Sequence, residues 1–119
     1  MQITIYTEDY FDAAHHLENY NGKCAEKHGH TWQVCVWVRG DDSQMADNGI
    51  LWDFNNLKNV ISIYDHTDLN EVCDFNPTAE NLCRHIYSLF KKDSPNLSFK
   101  VRLYEKNVMK HSYCELGDF

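Results

Sequence analysis

The sequence is poor in residues that break regular structure, with two prolines and five glycines among 119 positions. Disordered linkers and Pro- or Gly-rich low-complexity segments are thereby excluded, and a chain folded throughout is expected. No apolar run approaches the roughly 20 residues that span a bilayer, so no membrane insertion is expected. Positive charge is scarce: 11 Lys and Arg face 18 Asp and Glu, the net charge is -7, and no basic run occurs. That excludes a nucleic-acid surface, which needs clustered cations, and leaves any anionic substrate dependent on a local basic pocket. The cysteines, Cys24, Cys35, Cys73, Cys83 and Cys114, are odd in number, and the opening M-Q-I-T-I-Y lacks a basic-then-apolar leader pattern. Reduced thiols in a cytoplasmic protein are the expectation. The length predicts a single domain over 1–119, so function must come from one compact unit or its oligomer.

What is present is periodicity of two kinds. Residues 3–7, 11–15 and 31–39 read as extended and predict a long antiparallel pair, ended by the turn chemistry of D41-D42-S43 and D47-N48-G49. Asp53 is placed to cap a helix over about 54–64, with Phe54, Leu57, Ile61 and Tyr64 at helical spacing. Thr78 caps a second helix carrying Leu82, Ile86, Leu89 and Phe90 on one face, stopped by S94-P95-N96. Residues 97–104 alternate at period two, and 111–116 can return as their hairpin partner. The expected architecture is α+β: a four-stranded antiparallel sheet with two helices on one face, whose two open edges favour edge-to-edge assembly.

Cys24, Glu26, His28 and His30 fall within the seven residues C-A-E-K-H-G-H. If His28 and His30 open a strand, their spacing points both imidazoles to one face about 7 Å apart, and Gly29 between them removes a side chain that would crowd the approach. The partner strand carries His15 and His16, either of which can supply a third ligand. Three neutral nitrogens with one open position is how catalytic zinc is held. Gly22, His28 and His30 also match the opening of a cupin metal site, but Val34 and Cys35 stand where its glutamate belongs, and its second motif is absent.

Six blocks in order resemble the 6-pyruvoyl-tetrahydropterin and 6-carboxy-tetrahydropterin synthase family: F11-D-A-A-H15-H-L17, C24-A-E-K-H28-G-H30, D53-F54-x-x-L57, Y64-D65-H66-T67-D68-L69-N70, N76-P-T-A-E80-N81 and V101-R-L-Y-E105. The resemblance implies the tunnelling fold (T-fold), an oligomeric barrel usually built as a homohexamer of two trimers. It implies zinc held by His15, His28 and His30, with His16 at a variable position. It makes Cys24 the proton-transferring group and Asp65 and His66 its partners, reached across a subunit contact. It implies that Glu105 anchors the pterin edge by accepting from two parallel N–H donors, with Thr78 assisting. The adjacency of Asp65 and His66 requires a turn after the first helix if they are to bond. The threonine that commonly follows Glu105 is Lys106 here, and Lys106, Lys23 and Lys27 all stand as candidates to face a triphosphate.

The implied activity is zinc-dependent conversion of dihydroneopterin triphosphate to 6-carboxy-tetrahydropterin for the deazapurine and queuosine route. The alternatives are 6-pyruvoyl-tetrahydropterin or a hydroxymethyl-dihydropterin for folate, and, in another class, a non-catalytic zinc or pterin binder. Glu26, two residues before H-G-H, resembles the form of this loop linked to the folate product and is assigned to the substrate site.

Overall fold

The computed structural model describes all residues, Met1–Phe119. Two 14-residue strands, β1 (Gln2–His15) and β2 (His28–Asp41), form an unbroken antiparallel hairpin from Gln2 opposite Asp41 to His15 opposite His28. The period-two pattern extends beyond residues 31–39 at both ends because every residue of β2 has a partner in β1. At the far end, the Met1 ammonium sits 3.0 Å from the carboxylates of both Asp41 and Asp42. After the D47-N48-G49 turn, where Gly49 takes φ 85°, comes α1 (Asn55–Tyr64). Asp53 does serve its start, since its Oδ1 accepts the Asn55 N–H at 2.9 Å. α3 (Ala79–Asp93) begins as expected on Thr78, whose hydroxyl accepts the Asn81 N–H at 3.1 Å. Strands β4 (Ser98–Lys106) and β5 (His111–Gly117) form the second hairpin, and β4 pairs with β2.

Two expectations are corrected. The sheet has five strands in the order β3-β1-β2-β4-β5 and is mixed, because β3 (Thr67–Asp68) adds in parallel to Ala13–Ala14. There are three α-helices, the additional one being the single turn α2 (Leu69–Val72), with Asp68 as its N-cap. The cause is the turn after α1: His66 adopts a left-handed φ of 59°, its N–H donates to Asp12 O at 2.7 Å, and the next two residues lie along the outer edge of β1. That short strand covers part of an edge that would otherwise stay open.

One face of the sheet is covered by the helices. Phe11 and Ala13 of β1, Trp32, Val34, Val36 and Val38 of β2, and Phe99, Val101 and Leu103 of β4 meet Leu57, Ile61, Tyr64, Leu82, Ile86 and Phe90 in one continuous core. The alternation that supplies this face continues toward the end of the long hairpin, where His15, His28 and His30 take over from apolar residues.

Candidate active site

His15 lies directly opposite His28 in the strand register, and His30 lies opposite Ala13. The three imidazoles pack edge to face with ring centroids 4.6–5.1 Å apart, against Trp32. Each Nδ1 is within reach of a different backbone carbonyl: His15 to Pro77 at 2.8 Å, His28 to Glu26 at 2.7 Å and His30 to Lys106 at 3.3 Å. A carbonyl only accepts, so each Nδ1 must carry a proton, and in the neutral ring Nε2 then keeps its lone pair. All three Nε2 atoms are buried without a hydrogen-bond partner and lie within 4.8 Å of one another. Burial also holds the His15 imidazole below its ordinary pKa, so it is neutral near pH 7. Three convergent, unpartnered nitrogen donors are the donor set of an open zinc site, and the residues fit that metal. Of the two candidates from β1, His15 is the one that joins this set.

Glu105, at the end of β4, places its carboxylate 3.4 Å from His30 Nε2 and 3.9 Å from His15 Nε2, with the side chain about 27% exposed. It therefore bounds the same site from the neighbouring strand. In front lies a cleft of about 660 Å3, lined by Cys24, Glu26, His28, His30 and Glu105 together with Lys23, Lys27 and Lys110. Cys24 rides on a 3-10 turn (Lys23–Ala25) whose position is pinned by Leu17 N–H donating to Cys24 O at 2.7 Å. Its sulfur is not among the converging ligand atoms. The other four thiols, Cys35, Cys73, Cys83 and Cys114, are each pushed up in pKa by burial and remain protonated packing groups.

Asp65 and His66 do bond despite their adjacency, His66 Nδ1 lying 3.0 Å from Asp65 Oδ1. The left-handed backbone at His66 supplies the turn this required. The same carboxylate oxygen accepts the Asp12 N–H at 3.0 Å, and these bonds, the Asp12 one foremost, hold Asp65 below the usual carboxylate range. The His66 ring, about 80% exposed, lines a second cleft of about 880 Å3 on the helix-free face, with Asp12, Thr31, Lys106 and His111. Within one chain, then, the pair is not brought into the Cys24 cleft. Thr78 lines neither cleft, its hydroxyl being engaged as the α3 cap. Gly29 also faces the helix-free cleft, and a Cβ there would meet nothing within 4 Å, so the crowding argument for it does not hold inside one chain. Of the lysines, Lys23 and Lys27 line the Cys24 cleft and Lys106 the other one, where it lies over Tyr10 and Tyr104. Lys27 is already paired to Asp68 at 2.7 Å. Lys110, in the turn between β4 and β5, joins the Cys24 cleft and carried no sequence signal, since only the hairpin's return brings it there.

The model of the 6-pyruvoyl tetrahydropterin synthase family matches residues 4–115. The chain belongs to the 6-pyruvoyl tetrahydropterin synthase family. A Haemophilus influenzae 6-carboxy-5,6,7,8-tetrahydropterin synthase is 30% identical over 132 aligned positions, covering 88% of this chain and 92% of that protein. A Pyrococcus furiosus dihydroneopterin monophosphate aldolase is 36% identical over 89 positions, covering 71% and 72%. The solved Caenorhabditis elegans 6-pyruvoyl tetrahydropterin synthase superposes with a TM-score of 0.73 at 25% identity, covering 98% of this chain and 96% of that one. The architecture is accordingly the T-fold of this synthase family. No helix is long and apolar enough to cross a membrane.

Proposed function

We propose that the protein converts 7,8-dihydroneopterin triphosphate to 6-carboxy-5,6,7,8-tetrahydropterin in the deazapurine and queuosine route, with zinc held by His15, His28 and His30. The observation that carries this reading is the set of three buried, unpartnered Nε2 atoms, two of whose imidazoles, His28 and His30, line a cleft that also holds a thiol, carboxylates and two lysines without a carboxylate partner. Bound there, zinc supplies Lewis acidity to the oxygens of the substrate side chain. Glu105 accepts the paired N–H groups of the pterin edge and fixes the ring. Cys24 takes and returns protons at the side-chain carbons, a task set by its place in the cleft. Asp65 orients His66 and holds its Nδ1 proton, leaving Nε2 free to exchange protons with substrate when a neighbouring subunit brings the pair to a Cys24 cleft. Lys23 and Lys110 meet the triphosphate. The assembly is a homohexamer, and the free state of all five thiols supports a cytoplasmic setting. Turnover of dihydroneopterin triphosphate with products identified by mass tests the reading, and absence of 6-carboxy-tetrahydropterin overturns it.

A second reading is favoured by one feature. Glu26 lines the Cys24 cleft, and an aldolase is among the chain's relatives. A carboxylate there can take a side-chain hydroxyl proton and start a retro-aldol cleavage to hydroxymethyl-dihydropterin. If wild type forms none of that product, or Glu26→Ala forms as much as wild type, the second activity is wrong.

A further inference from the structure

The sequence blocks that supply Asp65, His66 and Thr78 also contain Asn70 and Asn76, and neither asparagine lines either of the two clefts described above. Their side chains perform the same act two residues apart. Beyond β1 the chain runs on as His16-Leu17-Glu18. Asn70 Oδ1 accepts the His16 N–H at 2.8 Å while its Nδ2 donates to His16 O at 3.0 Å. Asn76 Oδ1 accepts the Glu18 N–H at 2.9 Å while its Nδ2 donates to Glu18 O at 3.2 Å. A primary amide carries the donor and acceptor of a peptide group, so two side chains stand in for a neighbouring strand. Successive N–H groups of an extended chain point to opposite edges. With residues 16 and 18 held on one edge, Leu17 is turned to the other, where its N–H donates to Cys24 O at 2.7 Å. The far end of the same loop is tied to the same region by Lys27 and Asp68, 2.7 Å apart.

We propose that Asn70 and Asn76 are positioning residues for Cys24. Their amides fix the backbone of residues 16 and 18, so that Leu17 anchors the 3-10 turn and sets the thiol beside His28 and Glu105. This rests on the reading of Cys24 as the proton-transferring group. A thiol displaced by an ångström loses a large part of its catalytic effect, while the metal ligands and Glu105, held by the strands, stay in place.

The test uses full-length, zinc-loaded protein carrying Asn70→Ala, Asn76→Ala or Asn76→Asp. The Leu17 amide should exchange with solvent at least ~10-fold faster in each variant, because its acceptor is no longer fixed. Turnover number should fall about 10-fold or more, with KM within about twofold and zinc content unchanged. Asn76→Asp keeps size and acceptor but sets a carboxylate oxygen against Glu18 O, so it should lose as much as Asn76→Ala; wild-type behaviour would show that packing, not the amide, matters. Leu89→Ala serves as a destabilised control and should lower the melting temperature without changing turnover number. Unchanged Leu17 exchange in both alanine variants, or unchanged turnover number despite faster exchange, overturns the proposal. If wild type does not turn over dihydroneopterin triphosphate, the functional reading fails separately. Leu17 exchange and the rate of Cys24 alkylation, mapped by peptide mass, still decide the clamp: both should rise in the variants, and no change in either overturns it.

Discussion

Cys24 and His28 stand four residues apart and share one cleft, yet only His28 belongs to the convergent nitrogen cluster. The three Nε2 atoms converge without the Cys24 sulfur. Cys24→Ala should therefore keep about one zinc per chain and retain pterin binding, while turnover falls by roughly 100-fold or more, the scale of a positioned acid or base. Metal analysis and product assays on one preparation check this, and loss of zinc would make Cys24 a ligand. His30→Ala should remove metal and activity together, and full activity in metal-free protein would end the zinc assignment. Glu105→Gln exchanges an acceptor oxygen for a donor that faces the pterin edge, so pterin affinity should fall while metal content holds. At this scale much was legible in advance: the H-x-H spacing, the alternation of faces and the motif order pointed to the three histidines that converge. The Asn70 and Asn76 clamps were not legible, because an asparagine that completes a distant backbone leaves no periodic trace. Nor was Lys110, whose place in the cleft depends on a hairpin turn.

Among the elements, the long strands and helices follow from patterning, since period-two and helical spacing persist over nine or more residues. β3 and α2 escaped because two residues cannot show a period and one turn of helix cannot show a face. Their formation follows instead from the left-handed turn at His66 and the Asp68 cap. The α3 cap has a measurable role here. Thr78→Ala should cost about 1 kcal/mol and a few degrees of melting temperature, with Thr78→Ser close to wild type. A large loss of turnover at unchanged melting temperature would instead put Thr78 against substrate. Asp65, with its folded pKa depressed by Asp12 N–H and His66, contributes stability that is present above its unfolded value near 3.9 and is lost as pH falls through the lower folded value. The stability gap between wild type and Asp65→Asn should thus be flat from about pH 5 to 8 and close below about pH 4. Denaturant melts across that range will show whether it does.

For the whole molecule, shape is the informative quantity. A compact chain of this length has a radius of gyration of about 13.5 Å, whereas this one has 15.4 Å and extents of 50 × 23 × 23 Å. The excess comes from hairpins that outrun the helices covering them. Their helix-free face carries Tyr6, Trp37, Tyr104 and Tyr113 interleaved with Lys100 and Arg102, and β5 presents an unpaired edge. Light scattering at assay concentration should return six times the 14.0 kDa chain mass, and a stable monomer with full turnover would contradict assembly of the His66 pair with a neighbour's Cys24.

The carbonyls that fix the three histidines come from places far apart along the chain: Glu26 in the Cys24 loop, Pro77 at the threshold of α3 and Lys106 at the end of β4. The imidazoles are thus the knot in which a loop, a helix start and a hairpin are tied. An ion bound at their other nitrogens would tighten all three strings at once, so its binding strength would be written into the cohesion of the fold and should be readable from melting temperature as metal concentration is varied.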